Sequence, residues 1–542
     1  MINLVLFISK FYLFFFFLYF FGRAFIIMNS KILKIKINSS SKIQGLDIQI
    51  FYPVLGVFFL GNLLFFINFF IPVNSYFSYL LLFFLLFNLR EPVDLQIFKN
   101  IYFNLLIFPI LLVSSFDINF HYDAGLYHLN NQLWIRESNI ILGFSNIYGP
   151  FGVSSIYEYI SAFLWIDKSF ILIHFLNLIF IGFLFTFLFC SLTKSQKSGL
   201  FTGSLCVVLF GVLDNVGFGG GRNGFISIQS IGKQDTAIAV MYLVTSILLI
   251  YSIINDSFKE EEKIFYSIFS LFIFQLKVSG ISIVFIFFLY IFLYSKKLNK
   301  NIFYILKEIN YLFFIFFLWL FKSILHTGCW IFPLESSCYS RLSWVDSKYI
   351  QNIENVTVNF SNSYYFGDSF QLWVNKYLEL PLNSIVFRNF ALSAFVIFAL
   401  LVLFFEKNSE EINNKYLFAI IFLCLLFYIR FGPDVRYISG LMMYIIFSIG
   451  ISYKPKKNVP KVLIYGLILT CITMVPNLAS YKSLSFQAPL AVLLPEEPMK
   501  NLYNRLIPVS GDQCWVNINC SANLENYNIN KTGYFKIVTI DN

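Results

Sequence analysis

Residues 170–190 read FILIHFLNLIFIGFLFTFLFC, a run of apolar side chains that contains no Asp, Glu, Lys or Arg. A helix of about 20 such residues crosses the hydrocarbon core of a bilayer and satisfies its own backbone hydrogen bonds there. The run also lacks the dyad alternation of a transmembrane barrel strand. We therefore predict that this stretch is a membrane-spanning helix.

Similar apolar runs recur along the chain. Hydrophobic residues make up 58% of the sequence and charged residues only 13%, whereas about a quarter of the residues of a soluble protein are charged. The sequence therefore predicts an all-α fold, a polytopic transmembrane bundle of about 12–14 helices, and excludes a soluble enzyme, a coiled coil and a disulfide mini-protein. The candidate spans lie near residues 2–22, 50–71, 76–89, 101–116, 170–190, 199–213, 236–254, 264–276, 279–294, 309–325, 385–405, 416–430, 437–452 and 461–479.

The first apolar run is followed by Arg23 and several lysines, with no small-residue cleavage site between them. This pattern favours a retained helix over a cleaved signal peptide, and Met28 is an alternative start. We divide the chain into N-terminal transmembrane helices, an outer loop with the candidate site, a transmembrane core that includes an outer loop at 326–384, and a small tail. Their bounds are 1–116, 117–169, 170–479 and 480–542.

The net charge of +10 comes from Lys and Arg in short clusters beside apolar runs, so it indicates membrane topology and not a nucleic-acid partner. All the basic connections can be cytoplasmic if residues 264–294 form two short helices that turn near Lys277. Four long or polar segments then share the opposite, non-cytoplasmic face. The basic connections are 23–42, 90–99, 194–197, 296–300, 407–415 and 454–461, and the opposite segments are 117–169, 214–235, 326–384 and the tail from 480.

Four of the eight cysteines lie in the predicted outer segments and are close in sequence to one another. Disulfides form in oxidising compartments outside the cytoplasm. We expect the pairs Cys329 with Cys338 and Cys514 with Cys520, the alternative being four reduced thiols.

Loop 117–169 differs from its surroundings because acids, histidines, Asn and Arg gather where an apolar helix ends at Phe116. If a helix begins at Asp123, then positions at steps of three and four fall on one stripe with it. Asp123 could instead serve only as a helix N-cap. The residues of that stripe are Tyr127, Asn130 or Asn131, Trp134 and Glu137.

The segment YDAGLYHLNNQLWIRESNIILGFSNIYGPFG, residues 122–152, resembles the first outer loop of GT-C glycosyltransferases, which use polyprenyl-phosphate sugars. More narrowly, it is similar to a family of uncharacterised bacterial envelope membrane proteins, in which Asp precedes LYH and a Gly-x-x-Asn, here Gly143 to Asn146, closes the loop. Ala124 stands where GT-C members often carry a second acid, and Pro150 where the narrower family tends to have Arg.

Weaker similarities to that family follow along the chain. They are KQDTAIAV with Asp235 opening a span, GCWIFPLESSC, RFGPDVRYISG and GDQCWVNINC. The resemblance implies a GT-C-like bundle in the bacterial inner membrane that moves a sugar from a polyprenyl-phosphate donor to an envelope glycan, lipid or protein.

Such a transfer needs a base near the acceptor hydroxyl and positive charge or a metal at the leaving phosphate. In an inverting transferase Asp123 would be the base, and His121, His128 and Asp117 would hydrogen-bond it or complete a weak site for a divalent cation, Mg²⁺ or Mn²⁺. The phosphate candidates are Arg222, Lys277, Arg430 and Arg436, and the other candidate substrate-binding residues are Tyr127, Trp134, Glu137, Asn146 and Asp235.

Several of these assignments have alternatives. The histidines could be interfacial hydrogen-bonding residues, Asp117 could mark the water boundary, and Lys277 could form a turn between two helices. Asp434 could form a salt bridge with a neighbouring arginine. Two other functions are alternatives for the whole chain. One is an O-antigen-type polymerase or ligase, which relies on outer arginines and a large late loop. The other is a transporter or flippase for lipid-linked saccharides, which would show symmetry between its halves. A structural scaffold is the remaining alternative.

Overall fold

We describe a computed structural model of the chain, in which helices account for 71% of the residues and strands for 8%. The prediction of a mostly helical fold is confirmed. The structure describes residues 2–32, 37, 41–74, 80–90, 97–153, 155–166, 169–194, 198–218, 224–357, 364, 369–408, 414–431, 434–495, 498–502, 505–509, 511–518, 520–521 and 527–540.

The α-helices of the described residues are numbered in chain order. They are α1 (Ile2–Ile32), α2 (Tyr52–Asn68), α3 (Ile97–Leu111), α4 (Leu129–Glu137), α5 (Ile156–Phe163), α6 (Ile171–Lys194), α7 (Gly199–Val216), α8 (Asp235–Ile254), α9 (Glu260–Leu276), α10 (Ile283–Leu298), α11 (Ile302–Glu308), α12 (Asn310–Thr327), α13 (Ser347–Thr357), α14 (Phe370–Glu379), α15 (Pro381–Phe404), α16 (Asn414–Phe431), α17 (Val435–Ile451), α18 (Lys461–Met474) and α19 (Leu478–Lys482).

Eight helical segments of the described residues are long and apolar enough to cross a membrane, and four shorter helices are apolar as well. The long segments are Ile2–Lys31, Ile48–Asn68, Ile171–Thr193, Gly199–Val216, Asp235–Ile254, Val278–Leu298, Asn310–Thr327 and Pro381–Phe404, and the shorter ones are Leu81–Arg90, Tyr102–Asp117, Val435–Ile451 and Lys461–Met474.

The strands are short and lie in the connections. The largest sheet among the described residues joins Ile141–Leu142 (β3), Phe535–Ile540 (β9) and Tyr527–Thr532 (β8) in that order, with β3 parallel to β9 and β8 antiparallel to it. The other three sheets are two-stranded and antiparallel. The strands are β1 (Lys42–Ile43), β2 (Leu46–Asp47), β3 (Ile141–Leu142), β4 (Phe405–Lys407), β5 (Tyr453–Pro455), β6 (Met499–Leu502), β7 (Arg505–Pro508), β8 (Tyr527–Thr532) and β9 (Phe535–Ile540).

Helix α1 is longer than the apolar run that predicted it, because it continues through Arg23 to Ile32. Arg23 is fully buried, and its Nη1 donates to the backbone oxygen and to Oδ1 of Asn88, both at 3.1 Å. A buried arginine is tolerated when its donors find acceptors, so the charge does not end the helix as the sequence pattern had suggested.

The segment around Lys277 is a break between two helices. Lys277 itself is extended, with φ −165° and ψ 141°, and it ends α9. The start of α9 and the end of α10 also lie close together, because Nζ of Lys300, just after α10, is 3.2 Å from Oε1 of Glu260 in the first turn of α9. Helices α9 and α10 therefore form a hairpin with Lys277 at its tip.

The polar outer segments meet at one end of the bundle, which we call the loop face. Strand β3 of the first loop pairs with β9 of the tail, and Asn146 donates to the backbone oxygens of Trp344 at 2.8 Å and Val538 at 2.9 Å. The disulfides Cys329–Cys338 and Cys514–Cys520 lie in the same segments.

The opposite end of the bundle, the lysine-rich face, is held by ion pairs and amide contacts. Lys263 pairs with Glu308, and Gln44 donates to Glu262 at 2.7 Å. The bundle thus separates its long polar loops from its lysine-rich connections.

Candidate functional site

A short backbone contact brings two distant segments of the loop face together. The backbone N–H of Ile231 donates to the oxygen of Asn119 at 3.0 Å, and the N–H of His121 donates to the oxygen of Ile231 at 2.9 Å. The next residue, Gly232, has φ +93°, and a Cβ there would lie 2.6 Å from the Cβ of Ala124. A positive φ and so close an approach of the two backbones require glycine at this position. The contact between the two segments places Lys233 beside Asp123.

Asp123 precedes a π-helical turn, Ala124–His128, that leads into α4. Its side chain makes no capping hydrogen bond. Instead its Oδ2 lies 2.8 Å from Nζ of Lys233, and the two side chains are only 20% and 13% exposed. The carboxylate is therefore held by a half-buried ion pair and does not act as a helix cap.

Asp123 and His121 are also hydrogen-bonded to one another. The backbone N–H of Asp123 donates to Nδ1 of His121 at 3.0 Å, so that ring nitrogen is an acceptor. Burial and the charge of Lys233 lower the pKa of the imidazole. Burial alone would raise the pKa of the Asp123 carboxyl, but the hydrogen bond and charge of Lys233 hold it below its usual value. At neutral pH this arrangement pairs an ionised carboxylate with a neutral imidazole.

A second ion pair lies next to the first along the chain. Asp235, the first residue of α8, is 7% exposed, and its Oδ1 lies 2.8 Å from Nζ of Lys277. The ammonium of Lys277 also lies 4.2 Å from the ring centroid of Tyr437, a cation–π distance. The predicted turn at Lys277 is therefore present, and its side chain forms an ion pair with Asp235.

Arg436 completes the group from the first turn of α17. Its Nε lies 2.9 Å from Oδ2 of Asp434, and its Nη2 donates to the hydroxyl of Tyr437 at 3.1 Å. The predicted salt bridge in this turn is therefore present, and Asp434 also caps α17 through the N–H of Arg436 at 3.1 Å. We call Asp123, Lys233, Asp235, Lys277 and Arg436 the charged cluster.

A cavity of about 480 Å³ opens beside this cluster. Asp235 and Arg436 line it, and Leu382 and Val386 of α15 form part of an apolar wall. Asp123 is not among the lining residues, but the charge of Lys233 acts on both Asp123 and Asp235. The cavity therefore joins polar and apolar surfaces at the edge of the cluster. The other residues that line it are Gly224, Phe225, Ser227, Gln229, Thr236, Asp434, Val435 and Ser439.

His128 belongs to a separate buried network. Its Nδ1 contacts Oε1 of Glu158, whose Oε2 accepts from Gln132 at 2.7 Å, and Gln132 in turn accepts from the indole N–H of Trp165 at 2.8 Å. The hydrogen-bonding partner of His128 is therefore Glu158 and not Asp123. Tyr127 lies against the His128 ring at 4.2 Å, and burial raises its pKa well above the ordinary value.

The other predicted residues of the first loop lie away from the cluster. Asp117 lines a small cleft of about 40 Å³ with Ser114 and His174. Trp134 packs in an apolar group with the tail residue Val538, and Asn146 ties the tail to Trp344, as described above. Glu137 is exposed at the end of α4.

The π-helical turn explains part of this separation. A π-turn holds more residues than an α-turn, so positions after it are rotated from the stripe expected for a continuous α-helix. Tyr127 stays near Asp123, whereas Trp134 faces the tail.

Of the other two predicted phosphate ligands, only Arg430 belongs to the described residues. Arg430 lies in the last turn of α16, with its guanidinium 5.0 Å from the ring centroid of Phe431, and it is not among the residues that line the cavity. Arg222 lies outside the described residues.

The described residues do not fit a divalent cation at Asp123. No three His, Cys, Asp or Glu side chains among them converge as a metal site would need. The lysine ammonium at 2.8 Å also occupies the face of the carboxylate that a cation would take. We therefore assign no role to Mg²⁺ or Mn²⁺.

The sequence reasoning did not single out Lys233, Glu158 or Tyr437. Lys233 could have been found from the sequence, because it lies two residues before Asp235, a candidate site residue at the start of a predicted span. Glu158 and Tyr437 had none, since their roles depend on contacts between segments distant in the chain.

Comparison with known proteins identifies the chain by family alone. No curated protein and no solved structure matches it. A family model described as a domain of unknown function, DUF8201, matches residues 4–443, which include the whole charged cluster and most of the 542-residue chain. The protein therefore belongs to the DUF8201 family.

Proposed function

We propose that the protein is a membrane glycosyltransferase of GT-C type, which moves a sugar from a polyprenyl-phosphate donor to an acceptor at the loop face of a bacterial inner membrane, on its non-cytoplasmic side. One observation carries the proposal: an ionised carboxylate, Asp123, shares a charged cluster with Arg436, which lines a cavity walled by an apolar helix.

The base of the transfer is Asp123. A carboxylate accepts a proton from a hydroxyl only while it is ionised, and Lys233 keeps Asp123 in that state. The neutral His121 ring holds the backbone at Asp123 through its Nδ1. These two contacts fix the carboxylate before an acceptor arrives.

The phosphate of the donor is held by Arg436. Its guanidinium contacts Asp434 and Tyr437 and lines the cavity, and an arginine fork pairs well with phosphate oxygens. Lys277 adds positive charge beside Tyr437, with its ammonium 4.2 Å from the ring centroid. Charge at this place stabilises a phosphate as it leaves the sugar.

The lipid chain of the donor fits the apolar wall. Leu382 and Val386 line the cavity from α15, and the lipid-facing surface of α15 is strongly apolar, with Phe395 and Leu403 exposed. A polyprenyl chain on this helix would leave its phosphate at the level of Arg436.

In the transfer, the acceptor hydroxyl oxygen attacks the anomeric carbon of the donor sugar, and its proton passes to Asp123. A new carbon–oxygen bond forms, the bond from the anomeric carbon to the phosphate oxygen breaks, and its electron pair stays on the lipid phosphate. Arg436 offsets that charge.

Native mass spectrometry of the purified protein tests the proposal. We expect a co-purifying polyprenyl-phosphate species in the wild type that is lost in Arg436→Gln and kept in Arg341→Gln, an exposed arginine after α12 that is not among the residues lining the cavity. Asp123→Asn should keep the lipid and lose glycan product. Absence of lipid phosphate from the wild type, or equal retention in Arg436→Gln, contradicts the proposal.

A polymerase or ligase of O-antigen type is a second candidate, favoured by the fact that Arg436, and not Asp123, lines the cavity. Activity that survives Asp123→Asn but not Arg436→Gln supports this candidate over the first.

A further inference from the structure

Two tyrosines of the first outer loop lie near Asp123. Tyr122, the residue before it, is 57% exposed, and Tyr148 of the same loop is half-buried. Burial, followed by the charges of Asp512, Tyr122 and Asp123, raises the pKa of Tyr148 to about 12. The ring of Tyr148 also lies 6.5 Å from that of Tyr127, four residues after Asp123. Both tyrosines therefore belong to the part of the loop face that carries Asp123.

The tail completes this surface. The hydroxyl of Tyr122 donates to Oδ2 of Asp512, and the side-chain amide of Gln513 donates to Oδ1 of the same carboxylate at 3.1 Å. The hydrogen bond to Asp512 fixes the orientation of the Tyr122 ring while leaving the ring exposed. We call Tyr122, Tyr148, Asp512 and Gln513 the tyrosine platform.

The tail is also locked in place beneath the platform. The backbone N–H of Trp515 donates to the oxygen of Gly125 at 2.8 Å, and the indole packs edge-on against Phe120 with centroids 5.5 Å apart. The disulfide Cys514–Cys520 closes the loop that carries these contacts. Asp512 and Gln513 are therefore held in position for a ligand.

We propose that the tyrosine platform binds the acceptor, and that the acceptor is a neutral saccharide. The chemistry is specific to this class of ligand. An exposed aromatic ring offers a negative face to the C–H groups of a sugar, and carboxylate and amide groups bond its hydroxyls. The carboxylate of Asp512 gives this edge of the platform a negative charge, which disfavours phosphates and other anions there.

The saccharide is an acceptor only if the proposed transferase function is correct, so this inference rests on that function. It adds that the donor and the acceptor bind on opposite sides of the charged cluster. The lipid phosphate approaches Arg436 from the cavity, and the saccharide approaches Asp123 from water. Asp512 and Gln513 lie outside residues 4–443, the part matched to the family, so the acceptor preference is set partly by the tail of this chain.

The test is native mass spectrometry with a panel of neutral oligosaccharides, namely fragments of mannan, β-glucan and chitin, and with phosphorylated counterparts. We expect a neutral oligosaccharide adduct in the wild type that weakens about tenfold in Tyr122→Ala or Asp512→Asn, a change of about 1.4 kcal/mol. Tyr122→Phe keeps the ring and should lose less affinity than Tyr122→Ala.

Tyr534→Ala is the matched control, because Tyr534 is an equally exposed tyrosine, at 59%, in the turn between β8 and β9 of the same tail. It should leave the adduct unchanged. The inference is overturned if no neutral oligosaccharide binds, if only phosphorylated ones bind, or if Tyr122→Ala and Asp512→Asn both bind as the wild type does.

The same spectra separate this inference from the proposed function. Lipid phosphate that depends on Arg436, without any saccharide adduct, overturns the platform and leaves the transferase proposal standing. A saccharide adduct that depends on Tyr122, without lipid phosphate, overturns the transferase proposal and leaves saccharide binding at the tyrosine platform standing.

Discussion

Lys277 and Asp235 lie 2.8 Å apart, although 42 positions separate them in the sequence. The pair joins the tip of the α9–α10 hairpin to the first residue of α8. The Lys277 side chain is only 18% exposed at this tip, and its pairing with Asp235 and Tyr437 offsets the cost of removing the ammonium from water. The same pair fixes one side of the charged cluster.

Lys277→Met should destabilise the fold, because it leaves the buried Asp235 carboxylate without its partner. Loss of one member of a buried pair costs about 3 kcal/mol or more. The measurement is the free energy of unfolding in detergent micelles. Lys277→Met with Asp235→Asn in the same chain should recover part of the loss, since both charges are then absent; equal stability of the single and double variants would contradict the pairing.

Asp123→Asn should change how stability depends on pH. Lys233 holds the pKa of Asp123 below its ordinary value, so the folded chain binds this proton more weakly than the unfolded chain. The pair therefore stabilises the fold fully above about pH 3.9, the pKa of an unfolded aspartate, and the contribution is lost as the pH falls through the lowered pKa.

Thermal unfolding in detergent between pH 3 and 7 measures this effect. The difference between wild type and Asp123→Asn should be constant at neutral pH and shrink at the acid end. Glu137→Gln, at an exposed acid on α4, is the control and should show no such trend. Parallel curves for wild type and Asp123→Asn down to pH 3 would count against the ion pair.

The helices could be predicted from the sequence because apolar length is a local property. The run at 170–190 became α6, and the turn expected near Lys277 separates α9 from α10. Segregation of lysines from long polar loops also predicted which segments share a face, and β3 of the first loop does pair with β9 of the tail.

The partners within the site could not be predicted in the same way. The contact of Asp123 with Lys233 joins positions 110 apart, and it depends on Gly232 allowing two backbones to approach closely. The π-turn after Asp123 rotated Trp134 out of the expected stripe. The hydrophobic pattern of a single sequence does not predict contacts between distant segments or local departures from α-helical geometry.

Gly125→Ala should release the tail from the first loop. A Cβ at Gly125 would lie 2.8 Å from the indole of Trp515, a rigid side chain, and would also clash with Gln513. Hydrogen–deuterium exchange should therefore increase in residues 511–521 and leave the membrane helices unchanged. Gly466→Ala is the matched control, because nothing lies within 4 Å of a Cβ there; a tail that exchanges equally slowly in both variants would contradict the docking.

Labelling of the cysteine thiols tests both disulfides and the orientation of the loop face in the membrane. After denaturation without a reductant, a maleimide reagent should label four cysteines, and after reduction all eight. Cys329→Ser should add one label, because it frees Cys338. An unchanged label number in that variant would contradict the Cys329–Cys338 pair.

The freed thiol then reports which side of the membrane the loop face occupies. Cys338 is partly exposed, and Lys456 is exposed on the lysine-rich face. Disulfides persist outside the reducing cytoplasm, and lysine-rich connections favour the cytoplasmic side. A membrane-impermeant maleimide added to intact cells should therefore label Cys338 in Cys329→Ser, whereas Lys456→Cys should be labelled only after lysis. The opposite labelling pattern would put Asp123 in the cytoplasm, where a lipid-linked donor on the outer leaflet is out of reach.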